Sequence, residues 1–592
     1  MSRAIVNILY AEKVFIKPIL VLLSVVLCIG CSKPQQKSMI FFGGEIITMA
    51  EDGGTVPEAL FIIEGKIVSV GSKKEIFQLK TPSTQLVNLE GKTLFPGFID
   101  VHAHPDIAAY LHSFVDMSGF SNTSPEQVWE RLEQAIKVAE KGDWIFAKGF
   151  DPMLIDGLKA PQISYLDSIA PDNPVFILAQ SLHSAWANSS ALAAMGVTPE
   201  TPDPSEGSYY EKDENGELTG FIAELEAIKP ASKIILENID IKKDIVAVLD
   251  QYPANGVTTI STLGLFGKDG KSLMMYEHLS TKHQAVKLKI FELLGFLPKK
   301  KPSIRHFVYL VDEAQKLFPD EVDNGDDFFK ILGVKLWYDG SPYTGSMYLK
   351  EPYVESDLSQ NSLHIPLNHK GKALITKDAL YEKIRKYHAL GWQIAIHSQG
   401  DKSSEDVIAG FKKVIEESSA RDHRHRVEHL LMFPVDQYQV AHDLGLTLSF
   451  HINHLYYYGE SLRKDILGED RVESILPVDS AIKSGINISL HADNPMYPVE
   501  PLSLIQTAVV RKTKQGRYIG QDESIAILDG LRSVTINAAW QLHMEDKIGS
   551  IEVGKYADFV VLEKNPLKVS AENLSSISVL KTYVNGEQLF VQ

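Results

Sequence analysis

Cysteine is nearly absent from this chain, since only Cys28 and Cys31 occur among its 592 residues. Both lie near the N-terminus, so a mature protein cut before Cys31 would hold a single cysteine. If that cysteine is acylated, the protein has no disulfide, no cysteine-ligated metal and no thiol nucleophile. Any catalytic site must then be built from other side chains.

Basic residues are also in deficit, because 59 Lys and Arg residues stand against 76 Asp and Glu residues, for a formal net charge of −17. Nucleic acids and anionic membrane surfaces bind basic faces, so this balance argues against both as partners. The composition is otherwise globular, with 44% hydrophobic and 23% charged residues. At this length the chain can bury a large core and form more than one domain.

Long apolar runs are scarce, and the one near the N-terminus is short. PILVLLSVVLCIG at 18–30 is too short to span a bilayer comfortably but suits the core of a signal peptide. The residues IGC at 29–31 are similar to the lipobox of bacterial lipoproteins, in which cleavage leaves a lipidated cysteine, although Cys28 stands where leucine is usual. An uncleaved anchor and an ordinary secretory signal remain open.

We therefore predict a lipoprotein-type signal peptide over residues 1–31, acylation of Cys31 and a polar tether over residues 32–38. These features predict a location in a bacterial cell envelope, where the lipid-anchored protein faces the periplasm or the cell surface. The lipid would be its only contact with a membrane. The oligomeric state stays open, with a homodimer as one option.

The two ends of the remaining chain have the same sequence pattern, in which short apolar strand-like segments are separated by glycine turns. This pattern predicts one small β-sandwich domain assembled from residues 39–95 and 546–592. The middle, residues 96–545, alternates strand-like and helical stretches, which is typical of a parallel α/β sheet or barrel.

Eight candidate strands in this middle part match the count of a (β/α)₈ TIM barrel. The gap between the first two is too long for one helix, so we predict an insertion at about 105–240 with strands of its own. The candidate barrel strands are residues 97–102, 256–262, 287–293, 331–340, 392–398, 425–431, 446–452 and 486–493.

Polar residues end several of these strands. His102 and His104 are two residues apart, so on a strand their side chains project from one face, as two ligands of one metal would. The carboxyl ends of barrel strands surround a single site, where these side chains would converge. Nitrogen and oxygen ligands of this kind suit Zn²⁺ or a similar divalent ion. The other polar strand residues are Lys335, His397, His429 and Asp493.

Lys335 interrupts an otherwise apolar strand, on the same face as Gly333 and Trp337. A buried ammonium needs a counter-charge or must lose its proton. One interpretation is a lysine carbamate, formed with CO₂, which is an anion able to bridge two metal ions. The other is an ordinary ion pair, for instance with Asp339.

The segments PGFIDVHAH, GVKLWYDGS, IHSQGD, RVEHL, HADNP and IGSIEVGKYADFVVL resemble the metal-dependent amidohydrolase superfamily, and in particular its third amidohydrolase family, which includes N-substituted formamide deformylase. They occur in the family's order and extend from about Phe41 to the C-terminus. The resemblance implies a (β/α)₈ barrel with a β-sandwich made from both chain ends. The sequence departs from the family at His491 and Asn494, where small residues are usual.

The resemblance also implies a ligand set of one or two metal ions per chain. His102, His104 and Asp493 would bind the more buried ion. His397 and His429 would bind a second ion, with Lys335 as a bridging carbamate, although a one-metal version remains open. His183, in SLHSAWANSSAL, would face the substrate.

The implied reaction is hydrolysis of a non-peptide C–N bond, of an amide or formamide type, by attack of a metal-activated water on a small molecule. Asp493 would move the proton and His183 would act as a donor to the oxyanion. Trp337 and Tyr338 are candidate substrate-binding residues, although packing at the barrel rim explains them equally well. A deaminase or cyclic-amide hydrolase and a non-catalytic binding lipoprotein are the alternatives, although no Glu follows His397 as in the deaminases.

Overall fold

A computed structural model describes residues 37–50, 56–205, 208–265, 270–363, 365–418 and 422–592. The predicted signal peptide, Cys31 and most of the predicted tether lie outside these ranges. Within them, every helix is too short or too polar to cross a membrane.

The two chain ends form two small sheets. A four-stranded sheet, in the order β4-β3-β1-β5, is built from N-terminal strands alone. A five-stranded sheet, in the order β2-β6-β21-β22-β23, combines both ends. The strands are β1 (Ser38–Phe42), β2 (Glu45–Ile46), β3 (Ala59–Ile63), β4 (Lys66–Gly71), β5 (Gln85–Asn88), β6 (Thr93–Pro96), β21 (Phe559–Leu562), β22 (Val579–Val584) and β23 (Glu587–Val591).

These two sheets share one apolar cluster. The ring of Phe41 on β1 lies 5.4 Å from that of Phe559 on β21 and 5.2 Å from that of Tyr583 on β22, in edge-to-face contacts. Such contacts hold the N-terminal and C-terminal segments of the chain together, since aromatic pairs add to the free energy of burying apolar area.

The barrel is an eight-stranded parallel sheet in which each strand pairs with the barrel strand that comes next in the sequence. The first and last strands meet through backbone bonds, from Asp493 N to His102 O (3.2 Å) and from His104 N to Asn494 O (2.7 Å), so the barrel nearly closes. Its strands are β7 (Phe98–Ala103), β14 (Val257–Leu265), β15 (Arg305–Val311), β16 (Phe329–Trp337), β17 (Gln393–Ser398), β18 (Arg426–His429), β19 (Thr447–Phe450) and β20 (Ile488–Leu490).

The predicted third strand is wrong. Residues 287–293 lie within a helix, Val286–Leu293, and the third barrel strand is β15, Arg305–Val311. The sequence KLKIFEL alternates in polarity like a strand, but several of its apolar side chains face solvent. The true strand, RHFVYLV, is buried along its whole length, including its two polar residues.

Residues of the predicted insertion form a six-stranded sheet, in the order β12-β13-β11-β10-β9-β8. Two of its strands, β12 and β13, form an antiparallel pair. The strands are β8 (Val115–Asp116), β9 (Ile145–Phe150), β10 (Val175–Ala179), β11 (Ser184–Ala187), β12 (Tyr209–Lys212) and β13 (Leu218–Ala223).

Helices connect the strands, and several begin at a side chain that caps the first turn, such as Ser124 and Thr376. The helices are α1 (Lys73–Gln78), α2 (Pro105–Tyr110), α3 (Pro125–Val138), α4 (Ile163–Ile169), α5 (Ser189–Ala194), α6 (Glu224–Asn238), α7 (Ile241–Ala254), α8 (Lys271–Ser280), α9 (Val286–Leu293), α10 (Lys377–Ala389), α11 (Asp401–Glu416), α12 (Tyr438–Asp443), α13 (Asn453–Ser461), α14 (Glu469–Val472), α15 (Val478–Lys483), α16 (Pro501–Val510), α17 (Ile527–Ser533) and α18 (Ile536–Gln541).

Candidate metal centre

Five of the predicted ligands lie together at the carboxyl end of the barrel. Asp493, which follows β20, places Oδ1 3.1 Å from His104 Nε2 and 3.4 Å from His102 Nε2. Its Oδ2 lies 3.9 Å from His429 Nδ1. The His397 ring centroid is 4.3 Å from that of His429. The strand ends therefore converge as their parallel order requires.

Two further histidines belong to the same cluster. His451 follows β19 and places Nδ1 3.8 Å from Asp493 Oδ2. His491 follows β20, stacks on the ring of His102 at 4.5 Å and places Nε2 3.4 Å from His429 Nδ1. Both end a barrel strand, so the rule that found the other ligands also applies to them. Three sets of atoms lie close enough to hold an ion: His102, His104 and Asp493; His102, His429 and His491; and His429, His451 and Asp493.

Lys335 on β16 is buried beside this cluster. Its Nζ has no hydrogen-bond partner in the part of the chain that the structure describes, and lies 5.5 Å from the Trp337 ring centroid. Burial lowers the pKa of Lys335 to about 8. The alternative of a direct pair with Asp339 is not formed, because that carboxylate is engaged by His397 and by backbone N–H groups of Gln399 and Gly400.

Two of the histidines form a hydrogen bond to a carboxylate through Nδ1. Glu428 Oε2 lies 2.8 Å from His102 Nδ1, and Asp339 Oδ1 lies 3.0 Å from His397 Nδ1. A carboxylate accepts, so each Nδ1 donates, and in the neutral ring the lone pair is then on Nε2. Arg426 pairs with Glu428 inside the barrel. Such partners orient a metal-binding imidazole and raise its basicity.

Burial sets the protonation of the cluster. It lowers the pKa of His102, His429 and His451 well below the usual range, and nearby cationic groups lower it further. Burial would raise the pKa of Asp493, but the hydrogen bond from His104 and the surrounding histidines outweigh this and lower it. The site therefore offers neutral imidazoles and one carboxylate.

This donor set fits a divalent metal ion. His102 Nε2 and His451 Nδ1 are buried without a hydrogen-bond partner among the described residues, close to the Asp493 carboxylate. Buried polar atoms are normally paired, so these converging nitrogens fit a bound cation. Imidazole nitrogens with a carboxylate oxygen are ligands typical of Zn²⁺ and related ions.

The backbone at the site is held in an uncommon conformation. His429 has φ of 78° and Asp493 has φ of 55°, in the left-handed region that side chains rarely adopt. Non-glycine residues in this region cost of order 1–3 kcal/mol each and persist where the surrounding structure requires them. Here the turn aims both side chains into the barrel mouth.

The three residues predicted to contact the substrate differ in their distance from the ligand cluster. Trp337 lies beside Lys335 at the end of β16. Tyr338 points away from the cluster, and its hydroxyl donates to Asp406 on α11 at 3.0 Å. His183 follows β10, lies partly exposed, and places Nδ1 2.9 Å from Glu224 Oε2. The structure thus brings neither His183 nor Tyr338 into contact with the ligand cluster.

A cavity of about 340 Å³ lies between the inserted sheet and the loop after Asp493. Phe120, Lys148 and Gln180 line it from the insertion, and Tyr497 lines it from the loop. The Tyr497 hydroxyl lies 2.9 Å from His454 Nδ1, and its ring centroid lies 4.6 Å from that of His451. Tyr497 therefore contacts both the cavity and the histidine cluster.

A nearly closed parallel barrel with buried histidines and an aspartate at its strand ends defines a metal-dependent hydrolase of the amidohydrolase superfamily. Within that class, the chain belongs to the amidohydrolase family, whose sequence model matches residues 85–590. The resemblance found in the sequence motifs is thus confirmed, together with the coarse function it implies, a hydrolase acting on C–N bonds.

The similar proteins agree with this assignment. The chain is 26% identical to N-substituted formamide deformylase of Arthrobacter pascens, over 93% of this chain and 98% of that protein. It is 26% identical to the putative amidohydrolase YtcJ of Bacillus subtilis, over 93% and 99%. An uncharacterised metal-dependent hydrolase of Pyrococcus horikoshii shares the fold, with a TM-score of 0.68 and 24% identity over 90% of this chain and 99% of that one.

Asp339→Asn is expected to weaken metal binding by roughly 10- to 100-fold, because an amide orients His397 but no longer raises its basicity. Competition with a chelating dye measures the affinity. Asp406→Asn is the matched control, since it removes another buried carboxylate that contacts Tyr338 on the outer side of β16. Equal affinities in both variants would contradict a supporting role for Asp339.

Proposed function

We propose that this protein hydrolyses a non-peptide C–N bond, of an amide or formamide type, in a small molecule. The observation that carries the proposal is Asp493, which contacts His102 and His104 through one carboxylate oxygen beside the unpaired Lys335 amine. This arrangement combines ligands for an ion with a carboxylate close enough to exchange a proton at the same point.

We propose that the site binds Zn²⁺ or a similar divalent metal ion. One ligand group would be His102, His104 and Asp493, and the other would be His397 and His429. The ion would lower the pKa of a bound water and polarise the carbonyl of the substrate. Lys335, carboxylated by CO₂, would complete a two-metal site. Its unpaired amine and lowered pKa support this assignment.

Asp493 is the proposed general base and acid. It takes a proton from the attacking water and returns it to the leaving nitrogen, so the products are a carboxylic acid and an amine. Its anionic form at neutral pH follows from the lowered pKa. His183 remains a proposed donor to the substrate carbonyl oxygen, in reach of solvent and oriented by Glu224.

We place the substituent of the substrate nitrogen in the cavity beside Tyr497. Its wall combines the rings of Phe120 and Tyr497, whose centroids are 5.6 Å apart, with the polar groups of Lys148 and Gln180. Apolar walls with a few polar groups are typical of small-molecule sites. An aromatic or apolar amine with one polar substituent fits this lining.

A panel of N-formyl and N-acetyl derivatives of the same amines tests the proposal. Metal-loaded protein should release amine from some of them, and chelator-treated protein should release none until metal is added. Fully metal-loaded protein that turns over no member of the panel would refute the hydrolase assignment.

The variant Phe120→Ala tests the cavity. The KM for N-acyl derivatives of aromatic amines should rise roughly tenfold, while the KM for N-acyl derivatives of small alkyl amines should not change.

We further propose that the two terminal sheets form the β-sandwich predicted from the sequence. Their shared apolar cluster and the contacts of Phe41 with Phe559 and Tyr583 support this. The sandwich would cover one side of the barrel, since Arg305 on β15 pairs with Asp558, just before β21, at 2.6 Å.

Acylation of Cys31 and a position in the bacterial envelope are likewise proposals, supported by the apolar run and the IGC sequence. Mass spectrometry of the mature N-terminus is expected to find a diacyl- or triacyl-modified Cys31. Cys31→Ser is the matched variant and should leave the precursor uncleaved. An unmodified Cys31, or cleavage at another residue, would disprove the lipoprotein assignment.

A further inference from the structure

We propose that helix α9 and the turn after it, residues 285–299, form a docking surface for an anionic lipid bilayer. This surface, called the α9 face below, lies outside the candidate metal centre. The inference concerns a different property from hydrolysis and stands on its own observations, namely exposed apolar side chains, a fixed helix and a local excess of lysine.

The α9 face presents a stripe of apolar side chains to solvent. Val286, Ile290 and Leu293 recur at i, i+4 and i+7, so they share one side of the helix. Leu294 and Phe296 continue the stripe, and the five side chains are between 48% and 86% exposed. Single exposed apolar residues are ordinary, but a contiguous group marks an interaction surface.

The helix is fixed to the body of the protein, so this exposure is not caused by fraying. Leu288, on the opposite side of α9, is buried. Lys242 at the start of α7 donates to the Gly295 carbonyl at 3.1 Å. His278 on α8 places Nε2 2.8 Å from the Pro298 carbonyl oxygen. The apolar stripe therefore points outward from an anchored element.

The local charge is opposite to that of the whole chain. Residues 282–301 contain six lysines and one acidic residue, Glu292, in a protein of net charge −17. On a helix of 3.6 residues per turn, Lys287 and Lys289 flank the apolar stripe on either side. An apolar stripe bordered by lysines is typical of helices that lie in the interface of an anionic membrane.

The neighbouring carboxylates are engaged by other polar groups of the protein. Glu292 accepts a hydrogen bond from Gln284 at 3.3 Å. Asp326 accepts from the Thr281 hydroxyl at 2.8 Å. Asp250 on α7 pairs with Lys301. The exposed lysines Lys287, Lys289 and Lys299 thus supply the positive potential toward an approaching surface.

Charge also decides between a bilayer and a second copy of the chain. In a two-fold dimer through the α9 face, the same lysines would face one another, and like charges across an interface cost free energy. Anionic lipid headgroups instead attract them, by roughly fivefold in affinity for each lysine near the surface. The net charge that argued against an anionic membrane therefore does not describe this face.

The test uses full-length protein with Cys31→Ser, so that no lipid is attached. Vesicles of equal parts phosphatidylglycerol and phosphatidylcholine are compared with phosphatidylcholine alone. Because residues 18–30 can also bind lipid, the decisive readout is hydrogen exchange of residues 285–299. We expect the anionic vesicles to slow exchange there, and added salt to weaken the protection.

The patch variant carries Ile290→Gln, Leu293→Gln and Phe296→Gln. The control variant carries Val138→Gln, Val435→Gln and Val553→Gln, at apolar positions of comparable exposure on other elements. The protection of residues 285–299 by anionic vesicles should fall roughly tenfold or more for the patch variant, since it loses inserted apolar area, and should not change for the control.

Three results would overturn the proposal. The first is unchanged exchange of residues 285–299 with anionic vesicles. The second is an equal effect of the patch and control variants on that protection. The third is sedimentation in the absence of lipid that finds a dimer which the patch variant dissociates, because the α9 face would then be the contact between two copies.

Discussion

Asp493→Asn is expected to reduce kcat by roughly 10²-fold or more while much of the bound metal is retained. Asparagine can still offer an oxygen at 3.1 Å from His104, but it cannot take a proton. A role as ligand alone would make metal and activity fall together. Metal stoichiometry and kcat must therefore be measured on the same preparation.

His102→Asn is the matched comparison for Asp493→Asn. It removes a ligand without removing a proton acceptor, so metal content and activity should decline in parallel. If Asp493→Asn behaves in the same way, its carboxylate serves mainly to hold the ion. If it keeps both metal and near-native kcat, the base lies elsewhere, and His183 is the first residue to test.

Lys335→Met is expected to lower the metal content from two ions per chain toward one. It should also lower kcat on the order of 100-fold or more, which is the usual effect of losing one group that acts on the reacting centre. Methionine fills a similar volume but cannot react with CO₂. Elemental analysis of protein purified with and without bicarbonate measures the effect. Only the wild type should need bicarbonate for full metal loading.

The dependence on pH follows from the lowered pKa of Lys335. Only the neutral amine reacts with CO₂, and burial lowers this pKa to about 8, so more of the amine is neutral at a given pH than in water. At a fixed concentration of dissolved CO₂, reactivation of metal-free protein should accelerate as pH rises and reach half its maximum near pH 8. Loading of one ion at every pH, unaffected by bicarbonate, would contradict a carboxylated Lys335.

The ligand cluster could be predicted from the sequence because strand ends in a parallel barrel have a shared position. Strand periodicity places His102 and His104 on one face, and the order of the strands places Asp493 beside them. His451 and His491 follow the same rule, although they are not among the predicted ligands.

The partners of the ligands could not be predicted. Glu428 reaches His102 across the barrel, from a strand more than 300 residues later, and Asp339 turns toward His397 rather than Lys335. Side-chain pairs of this kind depend on strand spacing and rotamers that no local pattern records. The same holds for Tyr338, which periodicity places opposite Lys335 and tertiary packing joins to Asp406.

The sequence alone determined the family, the order of most barrel strands and most of the polar side chains that converge at the barrel mouth, because these depend on local periodicity and on motifs contiguous in the chain. Only the tertiary structure decided that residues 287–293 are a helix with an exposed apolar side, while β15 forms the third strand. Alternating polarity over so short a segment is compatible with a strand and with a helix. Which face of a segment is buried is settled by what packs against it, and that is a property of the whole fold.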